Sequence, residues 1–272
     1  MRFKLTIEYA GTKYSGWQIQ KNARTVQGEI DRAIREVTNR KGFELYGSGR
    51  TDAGVHALAQ VAHLDVDSDL PPETLRRRVN DVLPSDINIL RIEKVRHRFH
   101  ARHDAVARSY IYQVSRRRTA FAKNWVWWVK DELDAVAMRE AAGHFVGKHD
   151  FQSFSDDDAT EKSTDVLVDT FEVHEDGDLI LVHIEGSHFI WKMVRRLVGV
   201  LVEIGRGGMT GDEARAMLTS SSAVPARLTA PASGLFLERV YYSGDARDLP
   251  LQSAAGQFFN RYGAITPGRV GR

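Results

Sequence analysis

The sequence predicts an α+β fold built on a largely antiparallel sheet. Three observations predict it. Segments with two-residue and 3.6-residue apolar periods are interleaved along the chain, a hairpin signal sits at Asp176-Gly177, and no regular strand–helix–strand rhythm appears. Two loosely similar α+β halves joined near residue 105 are compatible with this order, although periodicity does not establish them. No repeat of fixed period is present.

Residues 3–9 place Phe3, Leu5, Ile7 and Tyr9 on one face of a strand, and a Gly-containing loop follows. Thr25 is placed to cap a helix whose apolar stripe is Val26, Ile30, Ala33, Ile34 and Val37. Residues 43–46 and 57–66 read as strands flanking a Gly-rich loop. Pro71 and Pro72 lead into a helix carrying Leu75, Val79, Val82 and Leu83. Residues 87–95 and 108–115 read as strands, and 131–146 as an amphipathic helix with Leu133, Val136, Ala137, Ala141 and Phe145. Residues 166–174 and 179–185 form the hairpin. Residues 189–204 are apolar nearly all round, which predicts a buried helix stopped by Gly205. Thr210 with Glu213 makes a capping box, residues 235–242 a last strand, and the final thirty residues show little periodicity.

A chain of 272 residues makes one large domain or two modest ones. It has no cysteine, which excludes disulfides, thiolate metal sites and a cysteine nucleophile and is compatible with a reducing compartment. The N-terminus alternates and does not read as a signal peptide. The greasy stretch from Phe189 to Ile204 is broken by Lys192, Arg195 and Arg196 and is too short to span a bilayer. No membrane association is expected, and a cytoplasmic location is the default. The net charge of +2 hides segregation. Residues 91–130 hold eleven Lys/Arg and two acids, net +9, whereas residues 150–178 hold one Lys and eleven acids, net −10. Two solvated faces would account for this. The basic stretch also carries Phe99, Tyr110, Tyr112, Phe121, Trp125, Trp127 and Trp128, and cations with aromatic faces lean toward RNA.

The most informative segment runs from Gly47 to Ala57. Its three glycines allow tight turns and close backbone approach, and Asp52 sits among small residues two positions after Arg50. Such a carboxylate can be a nucleophile, a general base, a metal ligand or a turn-former. Several standard motifs fail. The loop lacks a P-loop ending, and Gly205-Arg206-Gly207-Gly208 follows a helix rather than a strand. The run Asp156-Asp157-Asp158 opens like a calcium loop, but Glu161 occupies the required glycine position and Leu167 the required final glutamate. His97, His100 and His103 are spaced by three, yet Arg98 and Arg102 between them argue against a cation site, so no metal is expected.

From Gly49 to Ala57 the sequence resembles the tRNA pseudouridine synthase A family, the tRNA pseudouridine(38-40) synthases. The likeness extends to Tyr9, Gly11, Tyr14, Gly16, Trp17 and Gln18, to Thr25-Val26-Gln27-Gly28, and to Phe99-His100-Ala101-Arg102. It continues through Arg108-Ser109-Tyr110-Ile111-Tyr112, His149-Asp150-Phe151, Met193-Val194-Arg195 with Val198-Gly199, and Ala230-Pro231-Ala232 with Gly234-Leu235. It thus covers about residues 3 to 242. His103 replaces an aromatic residue often found there, and residues 116–125 lack the family's usual Pro-containing turn.

The resemblance implies two similar subdomains with a mixed, largely antiparallel sheet flanked by helices and an active-site cleft between them. Residues 1–105 would form the N-terminal subdomain with the catalytic loop, 106–245 the C-terminal one, and 246–272 a tail. It implies a cofactor-free isomerase, usually a homodimer, that converts uridine to pseudouridine at positions 38, 39 and 40 of the tRNA anticodon stem-loop. Carried over by motif, Asp52 is the nucleophile, Tyr110 lies against the target uracil, Arg195 partners the aspartate and Arg50 serves base flipping. The charge map adds an expected phosphate track at Arg98, Phe99, His100, Arg102 and Arg116, helped by Arg76, Arg77 and Arg78. Two other functions remain open on the residues alone. A carboxylate-based nucleosidase would need a second acid, with Asp65 and Asp67 as candidates. A non-catalytic RNA-binding protein would use the basic stretch and tolerate loss of Asp52.

Overall fold

The computed structural model describes residues 1–157, 163–248 and 250–255; Asp158, Glu161 and the tail from residue 256 onward lie outside the described residues. Apolar–polar alternation builds β1 (Arg2–Tyr9), with Phe3, Leu5, Ile7 and Tyr9 all facing the core. Thr25 caps α1 (Val26–Thr38) by accepting the Gly28 N–H, and Val26, Ile30, Ala33 and Ile34 bury the stripe. The short β2 (Glu44–Gly47) leads through the glycine-rich loop to β3 (His56–Asp65). The proline pair opens α2 (Pro72–Val82), and β4 (Ile87–Lys94) follows.

The second half begins with β5 (Ala105–Ser115) and the two-residue β6 (Trp127–Trp128). Then come α3 (Ala135–Ala142), β7 (Gly147–Asp150), the hairpin β8 (Asp165–Asp176) and β9 (Leu179–Gly186), and α4 (Met193–Gly205). The chain continues through α5 (Gly211–Ala216), opened by the Thr210–Glu213 capping box, and α6 (Val224–Arg227) to β10 (Leu235–Tyr242).

The strands join in one mixed sheet in the order β4-β1-β3-β10-β5-β9-β8-β7, with β2 also on β3 and β6 also on β5. Pairing is antiparallel except at β10–β3 and β5–β6. The last strand therefore fills the gap between the two halves, antiparallel to β5 and parallel to β3 at Phe236↔His56 and Leu237↔Ala57. Separate cores lie to either side. Phe3, Leu5, Ile7, Trp17, Ile30 and Ile34 belong to one, and Phe145, Phe151, Phe154, Leu197 and Leu201 to the other. β10 serves both, with Leu235 in the second and Leu237, Val240 and Tyr242 in the first. Fully burying each such side chain is worth about 1.5–3 kcal/mol, so a strand shared by both cores couples them.

Three expectations are corrected. The helix expected over 131–146 is shorter, because Asp134 caps it at the Val136 and Ala137 N–H groups and a 3-10 turn at Gly143–Phe145 closes it. The helix expected from 189 starts only at Met193, because Lys192 adopts a left-handed conformation, φ 62°. It ends on Gly205 itself rather than before it, with Arg206 as the cap and Gly207 at φ 76°. Among the described residues no helix is long and apolar enough to cross a membrane.

Packing at Gly199 in α4 gives a stability prediction. A methyl group there would overlap the Leu228 carbonyl oxygen, whereas one at Gly42 would meet nothing within 4 Å. Gly199→Ala should lower unfolding free energy by about 1–3 kcal/mol in a urea titration, the usual cost of overpacking, and Gly42→Ala should leave it near the wild-type value.

Candidate active site

The loop from Ser48 to Val55 joins β2 to β3 and ends where β3 meets β10. Its backbone is held from below by the turn that follows β1. The Trp17 N–H donates to the Thr51 carbonyl at 3.1 Å and the Gly54 N–H to the Tyr14 carbonyl at 3.2 Å. Tyr9 and Thr51 share a buried hydroxyl–hydroxyl hydrogen bond of 2.8 Å. Side chains would break this contact: a Cβ on Gly11 would overlap the Val55 carbonyl, and Gly16, at φ 90°, would bring one to 2.5 Å from the Thr51 carbonyl oxygen. The residues between Tyr9 and Trp17 are therefore the cradle of the Asp52 loop.

A buried histidine and a half-buried arginine brace the loop further. His56 accepts the Gly11 N–H at Nδ1 (3.0 Å) and lies 3.0 Å from the Asn124 carbonyl at Nε2. Burial pushes its pKa down to about 4, so at neutral pH it is an uncharged ring with Nε2 as donor. Arg108 spreads its guanidinium over four carbonyls, those of Ser48 (3.2 Å), Arg102 (3.0 Å), Ala105 (3.3 Å) and Ser187 (2.8 Å). It thereby ties the Asp52 loop to the basic loop after β4 and to the segment leading into α4. Sequence reasoning gave neither residue a role of its own; the signal was an arginine on a half-apolar strand two positions before Tyr110.

Asp52 points away from this scaffold and keeps 27% of its side-chain surface. Arg195, in the first turn of α4, brings Nη1 to 3.7 Å from Asp52 Oδ2 and keeps 17% of its own surface. Arg195 does not snorkel to solvent. Its Nε donates to the Ala230 carbonyl at 2.7 Å, while the Ala230 N–H returns to the Arg195 carbonyl at 3.0 Å. Its neighbour Arg196 is buried and pairs instead with Asp156. Asp156 so absorbs one of two adjacent cations and leaves the other to Asp52.

The electrostatics of Asp52 are a contest. Burial pushes its carboxyl above the usual carboxylate range, while Arg195 first, then Lys192 and the Trp191 indole N–H, pull it back. Tyr110 stands across the site, half-buried in β5, its ring edge-on to Phe189 at 5.2 Å. Burial, with a smaller contribution from the Asp52 charge, pushes its phenol up to about 12, so it keeps its proton at neutral pH.

Of the residues singled out by sequence, Asp52, Tyr110 and Arg195 come together. Arg50 is exposed on the same loop, with no ion pair or side-chain hydrogen bond among the described residues. Arg98 and Arg102 are exposed on the loop after β4, which Arg108 fastens to Ser48. Phe99 packs on Tyr242 at 5.2 Å, and the His100 ring packs on Tyr46, His63 and His103. Arg116 lies elsewhere, paired with Glu175 of the β8–β9 hairpin, and Arg76 is tied to Glu73. The two acids considered for a nucleosidase are also remote: Asp65 ends β3, the strand that Asp52 precedes, and binds Arg2 at 2.6 Å, while Asp67 binds Arg40 at 3.0 Å. Among the described residues no group of three or more His, Asp or Glu is placed to hold a metal ion.

A family model described as tRNA pseudouridine synthase matches residues 5–104 and 141–243. A tRNA pseudouridine synthase A from Rhodopseudomonas palustris is 43% identical over 244 residues, covering 89% of this chain and 99% of its own. A tRNA pseudouridine synthase A 2 from Clostridium tetani is 38% identical over 244 residues, covering 88% and 98%. One from Bacillus cereus is 37% identical over 243 residues, covering 88% and 99%.

The raised pKa of Asp52 has a consequence for stability. A carboxyl that binds its proton more tightly folded than unfolded favours the folded state at low pH, and this advantage is lost as pH rises through the folded pKa. Wherever Asp52 is ionised, its charge is therefore a burden on the fold. Asp52→Asn should melt no lower than wild type at pH 8, with any advantage shrinking as pH falls into the carboxylate range. A melting temperature clearly below wild type at pH 8 and equal to it at pH 4 would reverse this sign.

Proposed function

The chain belongs to the tRNA pseudouridine synthase family, and on that premise we propose that Asp52 is the nucleophile with which it isomerises uridine in the anticodon stem-loop. The family's reaction breaks the N1–C1′ glycosidic bond and forms a C5–C1′ bond. C5 gives up a proton and N1 gains one, so product and substrate are isomers and no oxidant or co-reactant is consumed. What the reaction demands is an ionised attacking group, a base out of its stack, and room for that base to turn.

One observation carries the assignment: the Asp52 carboxylate stands half-open on a braced loop, facing a guanidinium that is itself fixed by a backbone carbonyl. A guanidinium beside a half-buried carboxylate favours the charged, nucleophilic form. Tyr110 offers a ring for the uracil and a hydroxyl that acts as a donor. Arg50 is long, cationic and uncommitted, suited to fill the space a flipped base leaves and to hold phosphate. Arg98 and Arg102 continue that positive edge, and the Arg116 pairing with Glu175 takes Arg116 out of the proposed track. From the resemblance come positions 38, 39 and 40 as the targets and a homodimer as the working form, and the cytoplasm stays the default place.

Incubation with an unmodified tRNA transcript, followed by nucleoside chromatography, tests the reading. Pseudouridine should appear at constant RNA length, where a nucleosidase would release free uracil. Asp52→Ala and Asp52→Asn should abolish the product with tRNA affinity nearly unchanged, because a nucleophile acts mainly in the transition state. Product from purified Asp52→Ala would sink the mechanism, and it is also what a merely RNA-binding role for Asp52 would give. Tyr110→Phe should lower turnover roughly 10²–10⁴-fold, the range for a lost acid–base group. Wild-type turnover would reduce Tyr110 to stacking.

A further inference from the structure

The segment between β9 and α4 does something its composition does not suggest. Phe189, Ile190 and Trp191 would extend the apolar helix, yet the chain turns at Lys192, whose φ of 62° is rare for a residue with a side chain. Non-glycine residues held in this region cluster at functional sites, where surrounding contacts over-determine them. Here the contacts are specific. The Trp191 N–H donates to Asp157 Oδ2 at 2.9 Å. The Trp191 carbonyl accepts from Ser155 Oγ at 3.2 Å and from the Asp156 N–H at 3.4 Å. Lys192 Nζ reaches Asp156 Oδ2 at 2.5 Å while standing 4.8 Å from the centre of the Trp191 ring.

This latch holds out a large apolar side chain. Trp191 is 51% exposed, although it adjoins the most completely buried helix of the molecule. It stands one turn before Arg195, whose guanidinium faces the Asp52 carboxylate at 3.7 Å, and its indole is among the groups that hold the Asp52 pKa down. One ring thus adjoins the candidate site and keeps about half its surface open to solvent. The start of the acidic run, which fails as a calcium loop, has a different use here: Asp156 and Asp157 fix the backbone and charge around this tryptophan.

We propose that Trp191 is a further substrate-contacting residue of the site, whose N–H orients the Asp52 carboxylate and whose open face receives a base of the bound RNA. The inference rests on the reading of Asp52 as nucleophile. An indole suits both tasks. It is a donor without an acceptor, so it favours only the ionised carboxylate. Its broad face stacks on any base. The groups facing Asp52 are then Arg195, Lys192 and Trp191 from the start of α4 and Tyr110 from β5.

Two substitutions separate the tasks. Trp191→Phe keeps a ring and loses the donor. It should lower the single-turnover rate at saturating tRNA about tenfold near neutral pH, move the rising limb of the pH–rate profile upward, and leave tRNA affinity within about threefold of wild type. Trp191→Leu loses donor and ring, and should in addition weaken tRNA binding roughly 5–100-fold, the range for a lost base–aromatic stack. Melting temperatures should stay near wild type, since half the side chain is already exposed. A wild-type rate and pH limb in Trp191→Phe would overturn the orienting role, and wild-type affinity in Trp191→Leu would overturn the stacking role. A lowered melting temperature with an unshifted pH limb would assign Trp191 to structure alone. Asp52→Asn, run alongside, keeps the two readings apart. If it is inactive while the Trp191 variants behave as wild type, only this inference fails; if it is active, the nucleophile assignment fails first.

Discussion

The half-buried Asp52 carboxyl facing the Arg195 guanidinium is the contact on which the rest of this structure turns. Burial alone would protonate Asp52, and an isolated cation on a mobile side chain would be a poor remedy. The chain solves this by fixing both partners. Asp52 rides a loop whose backbone is bonded at Thr51 and Gly54 to the turn after β1. Arg195 is held at Nε by Ala230, leaving Nη1 for the carboxylate. A rigid guanidinium loses little freedom when it faces its partner, and at 3.7 Å it opposes the upward pull of burial on the carboxyl.

Long-range sheet pairing brings these pieces together. Asp52 precedes β3, Arg195 lies in the first turn of α4, and Ala230 lies just before β10, so well over half the chain separates the first from the last in sequence. Inserting β10 between β3 and β5 closes that distance. The Tyr112 hydroxyl fastens the approach to β10 through the Pro231 carbonyl at 2.7 Å, and Gly234 lies where a Cβ would meet the Tyr112 ring at 2.6 Å. The motifs scattered along the sequence thus share a physical task. Those near residues 9–17 and 56 hold the Asp52 loop, those near 108–112 and 230–235 hold the seam, and that near 193–199 supplies and seats Arg195.

Local structure was legible in the sequence wherever one residue decides it. The Thr25 cap, the Thr210–Glu213 box, the turn at Gly177 and the alternation in β1 all appear as expected. What could not be read depends on partners far along the chain. Nothing in residues 235–242 announces a parallel contact with β3, and nothing in the basic stretch says that Arg116 is neutralised by Glu175 while Arg98 and Arg102 stay exposed. The exposure of Trp191 is hidden for a related reason: an apolar run favours a continuous helix, and the left-handed turn at Lys192 exists only because Ser155, Asp156 and Asp157 hold its other side. Of the site, Asp52 stood out by its loop, whereas Arg195 was told apart from Arg196 only by the resemblance, and the structure adds that Asp156 binds the other arginine.

The account stands or falls on Arg195 keeping Asp52 ionised. The most direct measurement is the pH dependence of the single-turnover rate of pseudouridine formation in Arg195→Met beside wild type, at saturating tRNA. Removing the cation leaves burial less opposed, so the carboxyl should titrate higher. The account predicts that the rising limb moves to higher pH, with part of the lost rate recovered on the alkaline side. Superimposable profiles for the two proteins would contradict it.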